Sequence, residues 1–100
     1  MNDYILLMHS DSTDPAAAND SFAWDNYFTL LQKSGLFDGG SAIGKGLAFR
    51  KTGQPGAGSE HLSGYIRLRA ASLQQAQSFL SDNPVYEAGG TVEIRELPRD

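Results

Sequence analysis

The chain contains no cysteine. That excludes a disulfide framework, a thiolate metal site and a thiol nucleophile, and it fits a reducing compartment. Long apolar runs are lacking too, since no window approaches the roughly 18 consecutive apolar residues a membrane span requires. The opening Met1-Asn2-Asp3-Tyr4 lacks the basic region of a signal peptide, and the apolar run from Tyr4 to Met8 is too short for a signal's hydrophobic segment. The expectation is a cytoplasmic protein with no membrane partner. Positive charge is scarce: 8 Lys and Arg against 12 Asp and Glu leave a net charge of −4, without runs of either sign. Attachment to a phosphate backbone needs the opposite balance, so no nucleic-acid partner is expected.

What remains is an ordinary soluble composition over 100 residues, enough for one domain, 1–100, burying roughly 60–70% of the surface its unfolded chain exposes. The stretch His61 to Asp82 organises it. Leu62, Gly64, Ile66 and Leu68 share one parity, and Ser63, Tyr65, Arg67 and Arg69 the other, the pattern of a half-buried strand. Ser72, with Gln75 three residues on, is placed to cap a following helix in a capping box, and Leu73, Ala76, Phe79 and Leu80 fall at helical spacing.

Tyr4 to His9 is apolar on both parities and predicts a central strand covered on both faces. Ser10 to Asp20 reads as a loop in which Pro15 and three alanines make a helical turn. A helix is predicted over Ser21 to Ser34, capped by Asn19, Asp20 or Ser21 and ended by Gly35, with Trp24, Tyr27, Phe28 and Leu31 as its apolar stripe. Leu36 to Gly40 reads as a short strand broken by glycines. A second strand is expected from about Gly46 to Lys51, then a hairpin loop over Thr52 to Ser59. Pro84 ends the second helix, Val85 to Gly90 turns the chain, and Thr91 to Leu97 alternates as a last strand. The order β-α-β-β-α-β, with two helices on one face of an antiparallel sheet, is an α+β ferredoxin-like two-layer sandwich. The doubly apolar first strand then asks for cover on the open face, which a second copy of the sheet supplies.

Several motifs touch on chemistry. Gly39 to Lys45 spells GxxxxGK, but Gly46 replaces the Ser or Thr that holds magnesium, and a strand pattern follows where a helix is needed, so a glycine bulge is the expected reading. Lys45 to Phe49 brushes an RNA-recognition motif, but Leu47 stands at its third position and Thr52 at its last aromatic one, and the stretch falls on the second strand instead of the third. His9 ends the first strand and His61 begins the third. Two histidines without a third ligand make a poor metal site, and no metal or cofactor is expected. A histidine at a strand end is either solvated or a general acid/base near neutral pH. Tyr65, Arg67 and Arg69 share a face that is solvent-exposed, paired with Glu93 or Glu96, or lining an anion site.

At this level the chain resembles the YCII-related family of small dimeric α+β barrel proteins. The likeness rests on Tyr4-Ile5-Leu6-Leu7-Met8, Gly39-Gly40 after the first helix, and Leu62-Ser63-Gly64-Tyr65. It continues in Asp82-Asn83-Pro84 leading to Gly89-Gly90, and in Val92-Glu93-Ile94-Arg95. The resemblance implies a ferredoxin-like subunit, a homodimer with sheets face to face, and a pocket between sheet and helices. It also implies a family with enzymes among its members, and it makes Asp82 the acidic candidate, although a turn role explains that residue equally well. The chain departs from the family at two places. Where one large branch carries Asp-Gly-Pro-Phe, it reads Thr52-Gly53-Gln54-Pro55-Gly56, and where some members place a helix histidine, alignment puts Trp24.

The resulting expectation is a homodimer binding an unknown small molecule, with a lyase- or isomerase-type acid/base reaction in view. His9 and Asp82 are the candidate catalytic residues, and Trp24, Tyr27 and Arg67 the ligand-binding ones. The alternative is a non-catalytic ligand-binding or interaction module of the same fold. Trp24 is the deciding side chain: either it borders a cavity reached by a histidine or arginine, or it is plain core with its indole N–H on a backbone carbonyl.

Overall fold

The computed structural model describes residues 1–99. Its central strand, β1 (Asn2–His9), buries Tyr4, Leu6 and Met8 and half-buries Ile5 and Leu7 between them. β1 is flanked on both sides by antiparallel partners, β5 (Leu62–Ala70) and β6 (Val92–Leu97). An edge strand, β2 (Phe37–Ala42), pairs with the far side of β5 and completes the order β2-β5-β1-β6. With helices between β1 and β2 and again between β5 and β6, this is the ferredoxin-like α+β arrangement.

Alternation in β5 falls as its residues require: Ile66 and Leu68 are buried, while Tyr65, Arg67 and Arg69 turn to the other face. The buried parity meets Tyr27 and Leu31 of α2 (Ser21–Ser34) and Ala76 of α3 (Leu73–Gln77). Each large apolar side chain enclosed there contributes about 1.5–3 kcal/mol. Of the three possible caps for α2, Asp20 serves, its carboxylate accepting from the Phe22 and Ala23 amides at 2.9 and 3.4 Å. Gly35 ends the helix at φ 72°, a conformation that carries no penalty for glycine.

Two short helices frame the open end of this layer. α1 (Pro15–Ala18) is capped by Asp14, and α4 (Pro84–Glu87) by Asn83. Asn83 is fully buried, and its side-chain oxygen accepts from the Val85 and Tyr86 amides at 3.0 and 3.1 Å. The Asp-Asn-Pro run therefore closes one helical segment, the 3₁₀ turn Ser78–Leu80 that continues α3, and opens the next. A four-residue helix is too short to show periodicity, which is why Val85 to Gly90 reads only as a turn in the sequence.

The glycine-rich middle departs from expectation. β2 runs on to Ala42 through a register shift between Phe37 and Gly40. Glycine is required at 40 because a Cβ there would stand 2.5 Å from the Tyr65 carbonyl oxygen. The strand expected over Gly46 to Lys51 shrinks to β3 (Leu47–Ala48), which pairs with β4 (Gly56–Ala57) as a separate ribbon. Every residue from 41 to 57 is exposed, so no buried face extends the ladder.

The cap of α3 can be tested. Ser72 Oγ accepts from the Gln75 amide at 3.2 Å, but the Gln75 side chain reaches back to the Ala71 amide rather than to that of Ser72. Ser72→Ala should cost about 0.5–2 kcal/mol in chemical denaturation, and a change within error would show that the Gln75–Ala71 bond alone holds the helix start.

Candidate functional site

A cleft of about 500 Å³ lies between the sheet and the α1–α2 corner, within the roughly 300–1,000 Å³ usual for small-molecule pockets. Met8, Gly40 and Gly64 are among its lining residues on the sheet, and Trp24 and Phe28 form its aromatic wall. Because 24 and 28 are one helical turn apart, their rings meet on one side of α2, stacked with centroids 5.5 Å apart and planes at 28°. His9, Ser10 and Ser12 stand where β1 runs out.

Trp24 answers to both expectations. It is half-buried and borders the cleft together with His9, and its Nε1–H donates to the Ala18 carbonyl at 2.8 Å. That bond fastens α1 to α2 and fixes the indole as a wall.

The antiparallel register decides the histidines. Met8 pairs with Gly64, but His9 pairs with Leu62, a slip of one residue that sets the strand end beside His61. The two imidazoles meet edge to face at 5.1 Å. His9 Nε2 also lies 3.2 Å from Glu93 Oε1, while Glu93 Oε2 accepts from Arg95 at 2.9 Å. The Arg95 guanidinium, helped by His9, holds the Glu93 carboxyl below its ordinary value. An ionised carboxylate on Nε2 favours the tautomer protonated there and leaves Nδ1 as the basic nitrogen. Glu93 belongs to the face away from the helices, since Val92 and Ile94 pack on the core. His9 thus links the cleft to the open face of the sheet. Among the described residues, no three His, Asp or Glu side chains converge to hold a metal ion.

The other three candidates lie elsewhere. Tyr27 is buried beneath the cleft wall, its hydroxyl donating to the Phe79 carbonyl at 2.6 Å, and burial pushes its phenol up. Arg67 is exposed on the open face, opposite Ile5. Asp82 is exposed at φ 69°, its amide donating to the Glu87 carboxylate at 3.0 Å, as suits a turn residue. None of the three lines the cleft. The pattern in β6 shows Glu93 only as an outward residue. Its meeting with His9 depends on the register slip, which no local signal announces.

No family model matches the chain, and no curated protein matches it. Among solved structures it is similar to a 5-chloro-2-hydroxyhydroquinone dehydrochlorinase from Burkholderia phenoliruptrix AC1100, solved in complex with 2,5-dihydroxybenzoquinone. The TM-score is 0.59 over 98% of this chain and 95% of that one, with 11% sequence identity. The likeness is one of fold. No helix among the described residues is long and apolar enough to cross a membrane.

The loop at the cleft's end is tied down by Asp11, whose carboxylate accepts from the Thr91 hydroxyl at 2.6 Å and the Thr91 amide at 2.8 Å. Those two bonds lower its carboxyl from the ordinary 3.8. A lowered value stabilises the fold above the unfolded-state pKa and ceases to do so as pH falls through the folded one. Thermal denaturation should therefore show Asp11→Ala less stable than wild type near neutral pH, with the gap closing below about pH 4. A gap independent of pH would show that the carboxylate's charge is not what holds the loop.

Proposed function

We propose that the chain is a YCII-related homodimer that binds a small molecule in this cleft and acts as a lyase- or isomerase-type acid/base enzyme. The observation that carries the reading is the aromatic-walled cleft with His9 at its end, oriented by Glu93. In either reaction type a base removes a proton from carbon, and a leaving group departs or the proton returns elsewhere. Nδ1 of His9 is the base in this reading, and Glu93 holds the ring and stabilises its charged form. Trp24 and Phe28 position a flat, apolar ligand face, and the fold-level likeness to a dehydrochlorinase is compatible with such chemistry. Of the other residues put forward from the sequence, Tyr27 stands behind the aromatic wall, and Asp82 and Arg67 lie outside the cleft.

The dimer follows from the open face. Ile5, Leu7, Tyr65 and Leu97 present apolar area there among charged neighbours, and a second copy of the sheet covers it. A cytoplasmic setting agrees with the lack of cysteine.

The second reading is a non-catalytic ligand-binding module of the same fold. Trp24 favours it, because the position aligned with a histidine in some of the family's members holds a wall residue, and Asp82 is not beside His9. Calorimetric titration with a hydroxylated benzoquinone tests the site that both readings share, and turnover by wild type against His9→Gln separates them. One saturable site per chain is expected, weakened at least tenfold (about 1.4 kcal/mol) by Trp24→Phe, with the modest fall in Tm that losing the bond to the Ala18 carbonyl entails. His9→Gln should preserve binding in both readings and abolish turnover only in the first. Absence of saturable binding would remove the ligand site itself.

A further inference from the structure

Residues 41–57 form an arm that leaves the body beside the cleft. Ser41 and Ala42 line the cleft at its root, and the Ile43 amide still donates to the Ser63 carbonyl at 3.0 Å. Beyond that point β3 and β4 form a ladder with each other, outside the main sheet. Leu47 and Phe49 are 63% and 74% exposed, and neither lines the chain's own cleft. The Cα radius of gyration is 14.7 Å, against about 13 Å for a compact chain of this length, as a projecting arm requires. Two large apolar side chains held in solvent on a hairpin mark a contact surface.

Charge says what it contacts. The arm holds Lys45, Arg50 and Lys51, three of the eight basic residues, and none of the twelve acidic ones. The open sheet face sets Arg67, Arg69 and Arg95 against Asp3, Asp38 and Glu93, and so carries no net negative charge to attract it. The cleft is the opposite case. No lysine or arginine occurs before Lys33, and Asp11, Asp14 and Asp20 adjoin the lining residues Ser10, Pro15 and Asn19. The lining itself, among the described residues, includes no lysine or arginine.

We propose that the arm of one chain closes over the cleft of a second copy. Leu47 and Phe49 cover the Trp24–Phe28 wall, and Arg50 and Lys51 meet the acidic rim. Each site then takes its basic groups from the partner, which gives a bound anion or enolate-like charge the counter-charge that the cleft's own lining lacks. This rests on the cleft being the ligand site of a homodimer.

Trp24 is the chain's one tryptophan, so 5-fluorotryptophan reports on the cleft alone by ¹⁹F NMR. The label goes into a Leu47→Ser/Phe49→Ser chain, whose altered side chains are exposed and leave the fold intact. Adding excess unlabelled wild-type chain should move the resonance to the position seen in labelled wild type. The proposal is overturned if labelled wild type and labelled variant share one resonance, because the arm then covers no Trp24. It is also overturned if they differ but mixing changes nothing, because the arm then covers its own chain. Sedimentation of the same samples separates this from the functional reading. A monomeric wild type removes the arm contact and leaves ligand binding in the cleft open, whereas a mixing shift without ligand binding removes only the function.

Discussion

The pairing of β1 with β5 is the constraint on which the rest depends. It places Tyr4, Leu6 and Met8 beside Leu68, Ile66 and Gly64, so one face of two adjacent strands becomes the floor of the core. Where that floor ends, glycine at 64 removes a side chain and the slip at His9 turns the strand end. Packing therefore stops and the cleft begins at the same residue pair. Core and site are one piece of geometry: the register that fills the first vacates the second. The aromatic wall is fixed independently, through α2 and the Trp24–Ala18 bond, so the cleft is preformed.

Most of the fold was legible in the sequence because its signals are local or periodic. α2 runs over the predicted residues because an acidic cap, a glycine stop and a helical apolar stripe agree on them. β1 and β5 were legible from two-sided and one-sided apolar patterns. The middle of the chain was not, because glycines permit many backbone paths and the choice falls to tertiary packing, which is absent along the arm. The site was half legible. His9 and Trp24 stand at the cleft, and each is marked by its local position. Asp82 and Tyr27 carry no local mark of a site: a carboxylate before Asn-Pro and an aromatic on a core stripe have turn and packing uses that need no ligand. Nothing local marks Glu93 as a cleft residue, because its contact with His9 arises from a one-residue slip between strands far apart in sequence.

Electrostatics divides the molecule in a way that the net charge of −4 conceals. Acidic residues occupy the α1–α2 corner and basic ones the arm, while Asp3, Glu93, Arg67, Arg69 and Arg95 mix on the open face. Exposed pairs such as Arg69–Asp38 and Arg99–Asp3 contribute little to stability each. Their value lies in orientation: they leave one face self-compensated and the other two surfaces complementary. The His9–Glu93–Arg95 chain runs across this division, joining an imidazole at the cleft to a guanidinium on the open face. Covering that face would lower the local dielectric and tighten the hold on His9.

The central claim is that the cleft at the β1–β5 slip is where a small molecule binds. The most direct measurement is amide chemical-shift mapping of ¹⁵N-labelled protein during titration with 2,5-dihydroxybenzoquinone. Saturable shifts concentrated at Met8 to Ser12, Trp24 to Phe28, Gly40 to Ala42 and Ser63 to Tyr65 are expected. Shifts centred instead on Ile5, Arg67 and Leu97, or drifting without saturation across the surface, would contradict it.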